Sequence, residues 1–527
     1  MAIAESESLD TRPRHGADGV ATDHHRAARH ASDKPQGAHQ GHTLEKSLRS
    51  DGSERSPWLA LIALCIGFFM ILVDQTIVAV AIDNLKTQLN ASYDAVIWVQ
   101  SAYLLAFAVP LLITGRLGDQ VGPKRMYITG LTVFTLSSLA CGLSGSIEML
   151  IIFRVIQGLG ASMMTPQTMS IITRTFAPDR RGAAMGFWGA IAGVATLIGP
   201  LAGGVIVGSF GWEWIFFVNV PIGVVGFVLA WKLVPNLETK SHKYDIPGIL
   251  LSVIGMFLLV FGIQEGQQLN WDWRIWTLIV VGAAVMVAFV LSQRRGIAEP
   301  LVPLRLFRER NFSLANISIC VMGFAITGIM IPYMLYAQTA KGLTPTRAAL
   351  LLVPMAFFGM ILPPFVGRLV DKGYAKFLSP AGFICMSVGL VWLSIEMTPN
   401  VAIWRLLLPG ALLGVANGLI WSPVSSTATR NLAPQDAGAG AGVYNITRQI
   451  GAVLGSAAVG AFLQSRLLHE MRGPKDLAGF STAMGQSLLL PAALLIIAIV
   501  ASAFFQRPGA KPARQTVQTT YRTSAPA

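Results

Sequence analysis

Gly115-Arg116-Leu117-Gly118-Asp119 stands at the end of one long apolar stretch, and Gly367-Arg368-Leu369-Val370-Asp371 stands at the end of another, 252 positions further on. A second pair recurs at almost the same interval. Arg174-Thr175-Phe176-Ala177-Pro178, followed by Gly182, returns 256 positions later as Arg430-Asn431-Leu432-Ala433-Pro434, followed by Gly438. Gly186 and Gly199 match Gly442 and Gly455 at that second offset. One short match is chance. Two at nearly one offset, both in polar connections between apolar stretches, indicate an internal duplication.

The composition says what the duplicated halves are made of. The 527 residues are 53% hydrophobic and 13% charged, where soluble domains carry about 25% charged residues. Mean hydropathy is +0.56. These values exclude an ordinary soluble enzyme, a disordered protein and a nucleic-acid-binding domain. From Trp58 onward, long apolar stretches alternate with short polar ones, and roughly 20 apolar residues make a bilayer-spanning helix. Fourteen spans are expected, near 58–82, 96–117, 126–144, 147–172, 183–206, 214–234, 246–265, 276–293, 314–337, 348–369, 377–395, 402–425, 441–462 and 485–505. The third and the glycine-broken twelfth carry the weakest of these signals. Short alternating strands of a barrel are absent. The expected fold class is therefore an all-α polytopic membrane protein.

The offsets pair the second span with the tenth, and the loop after the fourth with the loop after the twelfth. Spans one to six then correspond to spans nine to fourteen, and spans seven and eight are an inserted hairpin. The expected organisation is a tail at 1–57, a six-helix half at 58–234, a linker with the hairpin at 235–313, a second six-helix half at 314–505 and a tail at 506–527. Both halves have the same orientation, which makes a parallel repeat about an axis normal to the membrane.

The net charge of +13 is explained by topology without a nucleic-acid partner. With the N-terminus inside, the inner loops hold Lys124, Arg125, Arg174, Arg180, Arg181, Lys240, Lys243, Arg294, Arg295, Arg305, Arg308, Arg310, Arg368, Lys372, Lys376 and Arg430. The outer loops hold only Lys86, Arg274, Lys341, Arg347, Arg466, Arg472 and Lys475, three of them in a loop at 463–484. The bias places both termini in the cytoplasm. The N-terminal tail holds six of the eight histidines, His15, His24, His25, His30, His39 and His42. Their irregular spacing, with no nearby cysteine, favours a disordered tail over a metal site. The first apolar run is too long and too late for a cleaved signal. Cys65, Cys141, Cys320 and Cys385 are scattered through apolar runs and read as small helix residues.

Charges at membrane depth are few, and by default they suggest function. Asp74 is the one acid deep within an expected span. It lies about 12 Å from the outer end of the first span, and Arg154 about 10 Å from the outer end of the fourth, at 1.5 Å per residue. The two charges share a depth and are expected to interact, directly or through water or substrate. Burial favours the neutral form of a carboxylate and a nearby arginine the ionised form. A pairing that changes during a transport cycle would let Asp74 load and release a proton, whereas an unchanging pairing is a structural ion pair. Arg448, beside Gln449 and near Asn445, is suited equally to an anionic or polar part of a substrate or to a helix end. Gln157, Trp188, Tyr333, Tyr336, Trp421, Tyr444 and Asn445 are further candidates for a cavity lining, with ordinary helix packing as the competing role for the aromatic ones.

Gly115-Arg116-Leu117-Gly118-Asp119-Gln120-Val121-Gly122-Pro123-Lys124-Arg125 resembles the signature between the second and third helices of the major facilitator superfamily. Val73-Asp74-Gln75-Thr76-Ile77, Arg154-Val155-Ile156-Gln157-Gly158-Leu159-Gly160, Gly199-Pro200-Leu201-Ala202-Gly203-Gly204 and Asp245-Ile246-Pro247-Gly248 are similar to segments of its fourteen-helix drug:proton antiporter family. So is the glycine-rich run near Gly451 and Gly455, and the likeness covers about 58–505. It departs at Ala195, where a leading glycine is usual. The resemblance implies a major facilitator fold with a substrate site between the halves. It also implies a cytoplasmic latch formed by Gly115, Arg116, Asp119, Gly122, Lys124 and Arg125, with topogenic charge alone as the competing role. The segment with Gly199, Pro200, Gly203 and Gly204 is expected to break and thin the fifth helix, which the resemblance implies is a pliant seam governing closure and leak, with small-residue packing alone as the competing role.

No GxxxxGK[ST] segment occurs, so ATP does not drive the chain directly, and there is no HExxH. The expected function is a proton-coupled exporter of drug-like or metabolite molecules in the plasma membrane. The alternative is an exporter or importer of one specific metabolite. No cofactor and no metal are expected; the partners are a small-molecule substrate, protons and the bilayer, and a monomer is expected. One deep acid against two deep arginines favours neutral, zwitterionic or anionic substrates over dications.

Overall fold

Gly122 takes a φ of +103°, a conformation open to a residue without Cβ. Pro123 follows at the first helical position, where its missing N–H costs nothing. These two residues turn one helix directly into the next and set the style of the whole fold, long helices joined by minimal connections. The computed structural model describes residues 56–506 apart from 79–80, 240–244, 267–268, 270, 295–299 and 474. Both expected tails, except for residues 56, 57 and 506, lie outside the described residues, as do Lys240, Lys243 and Arg295.

The helices are α1 (Pro57–Ile77), α2 (the pair Tyr93–Ala108 and Leu111–Val121), α3 (Pro123–Gly142), α4 (Ile147–Thr175), α5 (Arg181–Phe210), α6 (Trp214–Leu233), α7 (Ile246–Glu265) and α8 (Trp273–Arg294). They continue with α9 (Arg310–Ala340), α10 (Val353–Asp371), α11 (Ala375–Glu396), α12 (Ile403–Thr429), α13 (Ala437–Glu470) and α14 (Leu477–Ala503). Among the described residues there is no strand.

Twelve of these helices are long and apolar enough to cross a membrane, or thirteen if α2, bent by 47°, is one span. The expected fourteen is reached only by adding α3, which is long enough but too polar on this measure. Its Thr132, Thr135 and Ser137 hydroxyls donate to Ile128, Leu131 and Val133 carbonyl oxygens of its own previous turn. Several expectations shift. Helix α1 ends at Ile77 instead of 82. The loop expected at 463–484 is mostly helical, because Leu463 and Leu467 extend the buried stripe of α13 as far as Glu470. The twelfth span runs unbroken from Ile403 to Thr429 through its glycines and through Pro409 and Pro423.

The packing repeats with the sequence. Helix α1 packs on α5 and α6, α4 on α2 and α3, and α3 on α6; with every number raised by eight, the same pairs pack among α9 to α14. Two further seams, α2 on α13 and α5 on α10, join the halves. Both are glycine-lined at the end of the bundle that carries the signature loops. A Cβ on Gly115 would stand 2.7 Å from the Gly438 carbonyl oxygen, and a Cβ on Gly182 would stand 2.5 Å from that of Gly367. Helices α7 and α8 pair with each other, and α7 also touches α2 and α13. The outer faces are apolar, with Trp276, Val280 and Val287 on α8 and Ile384, Val388 and Ile395 on α11 all exposed. A bilayer covers such faces at no cost, whereas water does not.

Candidate functional site

The last turn of α1 faces the second turn of α4, and this brings Asp74 to Arg154. Arg154 Nη1 donates to Asp74 Oδ2 at 2.5 Å, and neither side chain is exposed to any degree. The earlier end of α1 puts Asp74 nearer its helix end than expected, yet still in a sealed environment. Gln157 Nε2 donates to Asp74 Oδ1 at 2.9 Å and its Oε1 accepts from Arg154 Nη1 at 2.8 Å. Asn219 of α6 donates to Asp74 Oδ1 at 3.5 Å and to Ser138 Oγ at 3.1 Å. Arg154 spends its other donors on the Val99 carbonyl oxygen at 3.1 Å and on Gln100 Oε1 at 3.2 Å. Its guanidinium lies 4.0 Å from the centre of the Tyr103 ring. Four guanidinium N–H groups and both carboxylate oxygens have partners, and such pairing lowers the cost of burying two charges.

Between the halves, away from the glycine-lined seams, lies a cavity of 530 Å³. Helices α1 and α2 contribute Gln75, Thr76 and Gln100; α12 and α13 contribute Asn417, Trp421, Arg448 and Gln449. Methionines 322, 330, 355 and 386 form a soft wall, and Gln264 of the inserted hairpin completes it. Asp74 and Arg154 are absent from the lining. Gln100 is the connection: it lines the cavity, accepts from Arg154, and donates to the Gln75 carbonyl oxygen at 2.9 Å. Sequence reasoning missed it; the one available signal was a glutamine inside the apolar second span.

Of the residues expected at the cavity, Trp421 and Arg448 line it. Gln157 belongs instead to the ion-pair network. Trp188 is buried outside the lining, edge-to-face with Trp421 at 6.1 Å and against Phe68 at 4.6 Å. Tyr333 and Tyr444 are buried in packing. Tyr336 donates to the Thr398 carbonyl oxygen at 2.7 Å. Asn445 donates to its own helix at Ala441.

At the sealed end, the duplicated loops do the same thing twice. Asp119, ending α2, accepts from the Gly438 and Ala439 N–H groups at 3.1 Å each, capping the start of α13. Asp371, ending α10, accepts from Gly182 and Ala183 N–H at 2.6 and 2.9 Å, capping the start of α5. Each carboxylate meets unpaired N–H groups and the positive end of a helix dipole in the other half. Further bonds cross the seam. Ser422 Oγ donates to the Gly182 carbonyl oxygen at 2.7 Å, and Arg181 donates to the Thr429 carbonyl oxygen at 3.0 Å. Arg430, in the loop after α12, is held below the ordinary guanidinium range by burial, with Asp371 opposing. Arg116 lies close enough to act on Asp119 electrostatically. Lys124 donates to the Trp231 carbonyl oxygen at 2.8 Å, and Arg125 is exposed with no partner among the described residues.

Gly199 lies against α1, where a Cβ would run into the Thr76 hydroxyl. The helix does not break at Pro200: α5 is continuous from Arg181 to Phe210. Gly203 and Gly204 continue it, with Gly203 buried. In a helix this long, neighbouring turns hold the geometry where the proline removes one bond. Among the described residues no group of His, Cys, Asp and Glu is placed to hold a metal.

Residues 64–456 match the family model of the Major Facilitator Superfamily. The chain belongs to the major facilitator superfamily. A transporter of this superfamily from Mycobacterium tuberculosis is 50% identical over 477 residues, covering 86% of this chain and 82% of that one. The multidrug resistance protein Stp of Mycobacterium tuberculosis is 32% identical over 417 residues, 78% of this chain and 77% of its own. The riboflavin transporter RibZ of Clostridioides difficile is 28% identical over 459 residues, 86% and 98% of the two chains. The solved structure of the proton:xylose symporter XylE superimposes with a TM-score of 0.61 at 14% identity, covering 86% of this chain and 96% of that one. This major facilitator is thus a multi-pass membrane transporter and not an enzyme, with multidrug-resistance proteins among its relatives.

Proposed function

We propose that this major facilitator exports drug-like or metabolite molecules across the plasma membrane in exchange for protons, by alternating access. The observation that carries this reading is the chain of contacts from cavity to carboxylate: cavity, Gln100, Arg154, Asp74. With the basic loops and both termini in the cytoplasm, the capped seams close the inner end and the cavity serves the outer side. A proton arriving from outside converts the Asp74 carboxylate to a neutral carboxyl. Arg154 then loses its counter-ion and relies on Gln100, Gln157 and the Val99 carbonyl oxygen, which it already touches. Because Gln100 also forms the cavity wall, this change alters the face presented to substrate. Opening the inner end requires both aspartate caps to release. While the inner end is open, Asp74 gives its proton to the cytoplasm and re-forms its pair with Arg154, and the inner end then reseals. The proton gradient supplies the energy, no cofactor takes part, and a monomer suffices.

The test is efflux of a chemically varied panel from cells expressing the protein, with and without a protonophore. Accumulation that ignores the protonophore refutes antiport, and an Asp74→Asn variant that still extrudes substrate uphill refutes Asp74 as the proton carrier. A second reading, transport of one specific metabolite, is favoured by the likeness to a riboflavin transporter. It predicts that a single member of the panel responds.

A further inference from the structure

We infer that the inter-half cavity is an anion site, built for flat aromatic carboxylates whose acid group is held by Arg448. The inference rests on the transporter reading of this cavity and names its substrate class. Arg448 is the sole charged side chain among the described residues that line the cavity. The other deep arginine is neutralised by Asp74 and walled off behind Gln100. The cavity therefore keeps one uncompensated positive charge. Sequence alone left Arg448 divided between a substrate and a helix end. The structure decides, because no carboxylate and no backbone carbonyl accepts from its guanidinium among the described residues, whereas Arg181 and Arg154 both bond carbonyl oxygens.

A guanidinium in an apolar, methionine-walled space is under-solvated, and its planar fork matches a carboxylate with two parallel hydrogen bonds. The guanidinium carbon stands 6.0 Å from the Trp421 ring centre, so an acid on Arg448 brings an attached aromatic ring to the indole. Asn417, whose buried Oδ1 has no partner, and Gln449 on the neighbouring helix offer polar contacts for substituents. The volume of 530 Å³ is that of a drug-sized ligand site, within roughly 300–1,000 Å³. A cationic ligand in the same place meets Arg448 with no lining acid to offset the repulsion.

The experiment uses the full-length protein in detergent, without a gradient, and three probes of one shape: naphthoate, neutral naphthylmethanol and naphthylmethylammonium. Binding is followed through tryptophan fluorescence. Naphthoate is expected to bind at least about tenfold more tightly than the ammonium probe. Arg448→Gln should erase that ratio and leave naphthylmethanol unchanged, which also shows that the cavity is intact. Arg448→Lys, keeping the charge without the fork, should give an intermediate ratio. Should Arg448→Gln not fold, Arg448→Met, with a side chain of similar stem, takes its place. Equal binding of anion and cation to the unaltered protein, or a ratio unmoved by the charge-removing substitution, overturns the inference. Because no gradient is present, that failure leaves proton-coupled export standing. Protonophore-insensitive export with the ratio intact sinks the coupling alone.

Discussion

The two halves of this major facilitator agree at one end and differ at depth. At the sealed end, Asp119 caps α13 and Asp371 caps α5, the same device in each direction. At depth, the first half holds a fully buried, heavily hydrogen-bonded ion pair, and the second holds a single arginine at the cavity with no acid in the lining. Duplication thus kept the mechanical contact twice and left each half with different chemistry. A hinge between two halves works best when both sides grip alike. A coupled exchange needs a carboxylate that is isolated and a cavity charge that is not.

The largest effect tests the difference at depth. Arg154→Gln leaves Asp74 buried without its counter-ion and should destabilise the protein by about 3–5 kcal/mol, seen as a lower midpoint in thermal unfolding. The double variant Asp74→Asn with Arg154→Gln should recover most of that stability while uphill transport in vesicles stays abolished. Recovery of transport along with stability would reduce the pair to a structural role. Next come the seams. Gly115→Val and Gly182→Val each place atoms where the facing backbone already lies. Both should hold the signature end open, read as increased labelling of cysteines introduced along α2 and α5. A clear response to one and none to the other would break the symmetry.

The caps themselves come third. Asp119→Ala and Asp371→Ala should each cost the closed state about 1–2 kcal/mol, a shift of roughly 5–30-fold in the open fraction. The two shifts should be alike, measurable by distances between spin labels across the seam. The smallest effect belongs to Gln100→Leu. The fold and the ion pair should survive, because Arg154 keeps three other acceptors. Substrate-stimulated proton flux in vesicles should fall a few-fold relative to binding. An unchanged ratio of flux to binding would remove Gln100 from the coupling path.

Much of this was legible in the chain. The recurrence of Gly115–Asp119 at Gly367–Asp371 implied two like-oriented halves, and the positions of Asp74 and Arg154 along their helices implied that they meet. Helical rise is nearly constant, so depth can be counted from sequence. What could not be counted was which side chain faces which neighbour. Gln157 and Gln100 look equivalent as glutamines in apolar spans, yet one closes the ion pair and the other lines the cavity. Tyr336 and Tyr444 look like cavity aromatics, yet packing turns them away. Pro200 looks like a break, yet the long helix carries through it. Each of these turns on rotation about a helix axis and on contacts from helices distant in sequence.

The sequence by itself determined that this chain is a duplicated bundle of membrane helices with few charges at depth, because hydropathy, spacing and repeat are local properties. Only the tertiary structure decided that the signature aspartates cap helices of the opposite half. Only it decided that one arginine is neutralised while the other stands open to the cavity. Charge compensation depends on which helices pack together, within a half for Asp74 and Arg154 and between halves along glycine-lined faces more than 150 residues apart in the chain.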